Sequence, residues 1–223
     1  MGGRGSNSFS PGRRGFPKTK YQASSSLGTN VATTLRQAIG TKGEPYSVSD
    51  SVQNTNPNFN RSYAEYSENC QRCVVAYELR RRGYDVEALP TYQGDNLPSI
   101  AYRNAAKGTI DGRWKGAFRN ARNVNVGAKT EAGAISNIES AMGSYGNGAR
   151  GVIQIFYKGG GGHVFNVENQ GGKVVYIEAQ SGKIKDIKAT MAHVKPESVN
   201  LIRTDNLRIS ERAKNFVTKR RNR

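Results

Sequence analysis

Three apolar stretches dominate the pattern of the chain: Gly151 to Tyr157 (GVIQIFY), His163 to Glu168 (HVFNVE) and Lys173 to Ala179 (KVVYIEA), divided by KGGGG and NQGG. β-Branched and aromatic residues fill the runs and glycines fill the gaps, which predicts a three-stranded antiparallel meander. Upstream, Glu131 to Met142 (EAGAISNIESAM) sets Ala134, Ile135, Ile138, Ala141 and Met142 on one face at helical spacing. Earlier still, CQRCVVAYELRRR after Asn69 predicts a second helix. Asn69 is its N-cap, the arginines complement the C-terminal end of its dipole, and Gly83 suits the left-handed position that follows. Tyr84 to Leu89 alternates as a short strand that Pro90 stops, Val199 to Arg203 predicts a last strand, and Ser210 to Arg221 reads as a helix. Between Thr91 and about Val126, Gly, Asn and Arg break every pattern and no element is assigned.

The ends are different in kind. Residues 1–60 are rich in Gly, Ser, Asn, Pro and Thr, with almost no apolar periodicity, so ordering them costs backbone entropy without compensating burial. They are expected to form a disordered basic arm, interrupted by one short helix over Val31 to Ile39 that Gly40 ends. The organisation predicted is therefore an arm (1–60), a folded domain (61–205) and a basic C-terminal tail or helix (206–223).

Composition sharpens this picture. Hydrophobic residues make up 35% of the 223 and the mean hydropathy is −0.69, low values that fit a folded unit smaller than the chain. No apolar run approaches the roughly 20 residues needed to cross a bilayer, and Met1 to Pro17 lacks the apolar core of a secretory signal. Neither membrane insertion nor Sec export is expected. Thirty-four Lys and Arg against seventeen Asp and Glu give a net charge of +17, which supports salt-sensitive attraction to nucleic acid or to acidic protein surfaces. Much of the excess lies in the first twenty residues and in the closing Lys219 to Arg223.

Chemistry concentrates at two places. A thiol in the first turn of a helix is where a thiolate is most easily made, because unpaired N–H groups and the positive end of the dipole stabilise the anion. Cys70 sits there, whereas Cys73, among Val74, Val75 and Ala76, points into the core. With two Cys and two His, the latter thirty residues apart, neither a disulfide scaffold nor a closed zinc site is expected. His163 opens the middle strand of the meander. If the NQGG hairpin turns on Gln170-Gly171, His163 faces Glu178; if it turns on Gly171-Gly172, it faces Gln180. Either residue shares its face. A carboxylate there can fix the imidazole tautomer and leave the other ring nitrogen for a thiol, which is the nucleophile, base and orienter arrangement of a triad.

NCQRCVVAYELRRRGYDVEA followed about 90 residues later by GHVFNVENQGGKVVYIEAQSG resembles the papain-fold toxin family, the Tox-PL type of glutamine deamidase or peptidase domain. The resemblance covers about Tyr63 to Gly182. It implies an α+β, papain-like cysteine hydrolase fold, with the helix that begins at the nucleophile packed on an antiparallel sheet. It implies Cys70 as nucleophile, His163 as base and an orienting acid on the next strand, commonly Asp followed two residues later by Gln; those positions hold Glu178 and Gln180. Glu178 departs from that pattern, and its extra methylene calls for a backbone shift, a folded rotamer or orientation by Gln180. For the oxyanion, the backbone N–H of Cys70 is one donor and Asn69 the candidate for a second. No cofactor and no metal are implied. The partners implied are a protein substrate presenting a glutamine side chain or a peptide bond, and an immunity protein. MGGRGS and the polar arm are also similar to segments of phage minor head proteins. That likeness suggests a virion-associated protein, or one acting in the cytoplasm of a target cell, with nucleic-acid or capsid contacts through the basic ends. A non-catalytic phage structural or nucleic-acid-associated protein that keeps the papain-like scaffold is the alternative.

Overall fold

A computed structural model describes residues 34–91 and 113–220. The arm's first 33 residues, part of the unassigned stretch (92–112) and the last three basic residues lie outside the described residues. In chain order the helices are α1 (Leu35–Ile39), α2 (Val48–Asn54), α3 (Ala64–Ser67), α4 (Cys70–Arg81), α5 (Glu131–Tyr145) and α6 (Ile187–Met191). The strands are β1 (Val86–Ala88), β2 (Val124–Asn125), β3 (Arg150–Phe156), β4 (Gly162–Gln170), β5 (Lys173–Glu178), β6 (Lys183–Ile184), β7 (Asn200–Arg203) and β8 (Val217–Lys219).

Among the described residues, β2-β7-β3-β4-β5-β6 form one antiparallel sheet, and β1 and β8 pair separately. The predicted meander is its centre. Its strands read as nearly continuous apolar runs because both faces are covered. Val152, Val164, Ile177 and Ile202 point into a core shared with Val74, Val75 and Leu79 of α4 and with Trp114. Their neighbours Ile153, Phe165, Tyr176 and Leu201 point into a second core with Ile138 and Met142 of α5. The predicted face of α5 is thus the buried one, and Thr130 caps it by accepting from the Gly133 N–H.

Helix α4 is buried over nearly its whole length, polar residues included. Those residues have partners. Glu78 accepts from Arg82 (2.7 Å) and Arg150 (3.0 Å), Arg80 bonds Asp85 (2.9 Å) and Asp50 (2.5 Å), and Tyr77 and Arg81 share Glu168. The chain leaves α4 through Gly83 at φ 96, where an added Cβ would stand 2.1 Å from the Gly43 carbonyl oxygen. Only glycine meets both demands.

Order begins earlier and ends later than the sequence suggests. Within residues 34–60, placed in the disordered arm, the short helix expected to end at Gly40 is present as α1, and α2 forms where no element was expected; together they bury Ala38, Ile39 and Val52. Their polar residues close the structure instead of solvating it. Thr34 and Ser47 cap the two helices, the Thr55 carbonyl accepts from the Ala88 N–H (2.8 Å), and Asn56 is buried. At the other end, the helix expected over Ser210 to Arg221 is instead a 3-10 turn over Glu211–Asn215 followed by β8. Ala213, Phe216 and Val217 are buried there, so apolar contact with the α4 side outweighs the helical preference of the basic segment.

Candidate active site

The first turn of α4 presents two thiols with different surroundings. Cys70 is half-buried and Cys73 buried, and neither is in a disulfide. Burial pushes the Cys73 thiol well up, the negative fields of Cys70 and Glu178 add to the effect, and its Sγ donates to Asn69 Oδ1 (3.3 Å). Cys73 is held as a packed thiol, as expected from its apolar neighbours.

Asn69 holds the N-cap position of α4, as expected, and its carbonyl accepts from the Arg72 and Cys73 N–H groups, but its side chain makes no capping bond. Its side chain turns inward, 1% exposed, where Nδ2 donates to Asn56 Oδ1 (3.2 Å) and to the Leu89 carbonyl (3.3 Å), while Oδ1 accepts from Asn56 Nδ2 (3.3 Å). Both amide hydrogens already have acceptors within the protein, which corrects the expectation that Asn69 supplies an oxyanion donor. Asn69 fixes the start of the helix instead. Asn56 completes this clasp, donating to the carbonyls of Tyr66 (2.9 Å) and Gln180 (2.8 Å) and so tying the segment before Cys70 to the end of β5.

His163 stands at the open end of β4, hydrogen-bonded to Glu178 and near enough to Cys70 to feel its charge. Its Nε2–H donates to Glu178 Oε2 at 2.7 Å, which leaves Nδ1 for the sulfur. Burial alone would push the imidazole down. The interactions with Cys70 and Glu178 outweigh it, and the His163 pKa rises to about 9. For Glu178, burial pushes the carboxyl up, but His163 and Lys185 overcome it and hold the group below its ordinary range. Lys185 Nζ donates to the same Oε2 and lies 5.0 Å from the centre of the Phe165 ring. The hairpin turns on Gly171-Gly172, since Gln170 pairs with Lys173. Carried along both strands, that register sets Gln180 opposite His163, yet Glu178 makes the bond, reaching diagonally with its longer side chain. Gln180 is used through its backbone carbonyl, by Asn56.

Cys70, His163 and Glu178 are therefore brought together, Gln180 adjoins them through its backbone, and Asn69 is turned away from them. Asn56, Lys185 and Tyr157 were missed from sequence. Tyr157, just past β3, is pushed up to about 12, first by burial and then by the fields of Glu178 and Cys70, which places the end of β3 beside the site. Asn56 lies in QNTNPNFN, which reads as a polar loop, and nothing in the residues around it signals its role. Lys185 could have been found from Gly182, the turn that folds the chain back on β5. Among the described residues no cluster of His, Cys, Asp and Glu is suited to a metal ion, and no helix is long and apolar enough to cross a membrane.

Residues 68–183, just over half of the chain, match the family described as papain fold toxin 1, glutamine deamidase. The chain belongs to this family. The resemblance read from the Cys70 and His163 motifs is thereby borne out, and with it a hydrolase of the amidase kind on a papain-like, α+β fold. The span matched to the papain-fold toxin family contains Cys70, His163, Glu178 and Gln180, whereas Asn56 and Lys185 lie outside it. No curated protein and no solved structure matches the chain.

Proposed function

We propose that this papain-fold toxin domain converts a glutamine side chain of a protein to glutamate, with Cys70 as nucleophile, His163 as acid and base, and Glu178 as the group that orients His163. The observation that carries the reading is the 2.7 Å hydrogen bond between His163 and Glu178, two residues on adjacent strands, with Cys70 at the start of α4 acting on the same imidazole. Cys70 gives its proton to Nδ1 of His163, and the sulfur attacks the carboxamide carbon. The oxygen of the tetrahedral adduct faces the start of α4, where the first N–H groups have no intrahelical acceptor, and the Cys70 N–H donates to it. His163 returns the proton to the departing nitrogen as the C–N bond breaks, releasing ammonia. Water then passes a proton to His163 and attacks the thioester, which frees the glutamate carboxyl and restores the thiol.

The test is mass spectrometry of candidate proteins and of glutamine-containing peptides incubated with the full chain, together with ammonia release. A gain of about 1 Da at glutamine, absent with Cys70→Ala, is the expected outcome. Cleavage of the backbone in place of the mass gain would make the domain a peptidase.

A further inference from the structure

A cavity of about 700 Å³ is walled by the turn around Trp114, by the end of β3 and by the Pro196–Ser198 turn. Both of its inner walls are anchored to catalytic segments. The backbone N–H of Trp114 donates to Oε1 of Gln71, the neighbour of Cys70, at 3.3 Å. Phe156 pairs with Gly162, the neighbour of His163, and Tyr157 next to it lies within the field of Cys70 and Glu178. A substrate side chain that reaches Cys70 therefore brings its flanking residues past this cavity.

The lining has a sign. Arg113, Lys115 and Arg122 contribute three cations, against the single carboxylate of Glu197, and Gln154 and Phe156 form the floor on the sheet. Lys115 is pushed down to about 8, first by burial and then by the Arg113 charge beside it. Two cations crowded on a partly desolvated wall gain when an anion arrives, because the opposite charge offsets both burial and repulsion. A cleft with low-dielectric walls also focuses this field towards its mouth.

We propose, building on the deamidase reading, that this cavity selects acidic protein segments, binding Asp or Glu side chains that flank the glutamine presented to Cys70. Arg113, Lys115 and Arg122 are the residues that hold them.

The experiment uses the full chain carrying Cys70→Ala, so that binding is read without turnover. Three peptides of equal length, with a central glutamine flanked by Glu, by Ala or by Lys, are titrated by calorimetry, with emission of Trp114, the single tryptophan, locating the site. The Glu-flanked peptide is expected to bind at least about tenfold more tightly than the Ala-flanked one, with an advantage that shrinks as salt rises. In a Lys115→Glu, Arg122→Glu double variant the preference should reverse towards the Lys-flanked peptide, a gain that misfolding cannot produce. Equal binding of the three peptides, no binding of any, or an unchanged preference in the double variant would overturn the proposal. So would a single-stranded oligonucleotide that shifts Trp114 emission at lower concentration than the Glu-flanked peptide, since the cavity would then be a nucleic-acid site. Failure of the wild-type chain to convert a tightly bound Glu-flanked peptide would instead count against the deamidase reaction and leave the cavity's selectivity standing.

Discussion

His163 hydrogen-bonds through Nε2, at 2.7 Å, to the carboxylate of Glu178, a residue that the β4–β5 register, carried on past its last pair Asn166 and Ile177, sets diagonally across from it and not opposite. Diagonal neighbours in an antiparallel pair are about 7–8 Å apart, against about 4.5–5.5 Å for directly facing ones, so the length of the glutamate is what closes the gap. Glu178→Asp should therefore slow amide hydrolysis although aspartate is chemically equivalent, and Glu178→Gln should slow it by roughly 10²–10⁴-fold. Gln180→Ala should cost less than about tenfold, because its backbone carbonyl is the group in use. Rates of ammonia release from one peptide compare the three. Full activity of Glu178→Asp would show that reach is not what the longer side chain supplies.

The two thiols separate by function. Cys70→Ala should abolish hydrolysis and leave the melting temperature nearly unchanged. Cys73→Ala should keep activity and cost about 1 kcal/mol through lost packing and the lost bond to Asn69. Iodoacetamide labelling of the folded protein, mapped by peptide mass, should fall on Cys70. A dead Cys73→Ala beside an active Cys70→Ala reverses the assignment.

Stability should report the charged state of the site. The folded pKa of His163, about 9, lies above its ordinary value near 6.5, so the protonated imidazole stabilises the fold fully below about pH 6.5, and that contribution is lost as pH rises through 9. Glu178 is depressed, so its contribution is present above about pH 4.5 and lost as pH falls through its lower folded value. Thermal melts between pH 7 and 10 should show a steeper fall for the wild type than for His163→Gln. Parallel curves would mean that the imidazole is not held charged by its neighbours.

The segment ahead of the nucleophile should prove structural. Removing residues 1–58 deletes α1, α2 and Asn56 and should cause a large loss of stability. Asn56→Ala alone removes the buried side-chain donor shared by the carbonyls of Tyr66 and Gln180, at a cost of about 1–3 kcal/mol. Urea unfolding measures both. An unchanged midpoint for the truncated chain would place those residues outside the cooperative unit.

The parts of the site that could be read from the chain are those that local rules control. Strand alternation set His163 and the Glu178 and Gln180 pair on one face, and the helix start marked Cys70. Asn69 took the N-cap position as expected, but its carboxamide does not close the helix because a long-range partner, Asn56, took it, and no local rule registers a residue so far off in sequence. The same holds for residues 34–60. Low apolar content signals disorder when side chains face water, but here a hydroxyl closes the end of its own helix and a carboxamide closes backbone groups of other segments. Charge misled at the C-terminus, where buried Phe216 and Val217 decided the outcome over their basic neighbours.

The turn of the β4–β5 hairpin has only Gly171 and Gly172 between its last paired residues, both with positive φ. It lies seven residues from His163, roughly 23 Å along the strand, and far from any substrate. One residue inserted there and absorbed by sliding β5 would carry Glu178 to the opposite face and leave the imidazole without its acid. Surface loops ordinarily vary in length at little cost to the chemistry of a protein. In this domain the length of a distant turn is itself a determinant of activity, so lineages that lengthen it should be found to have lost the enzyme while keeping the fold.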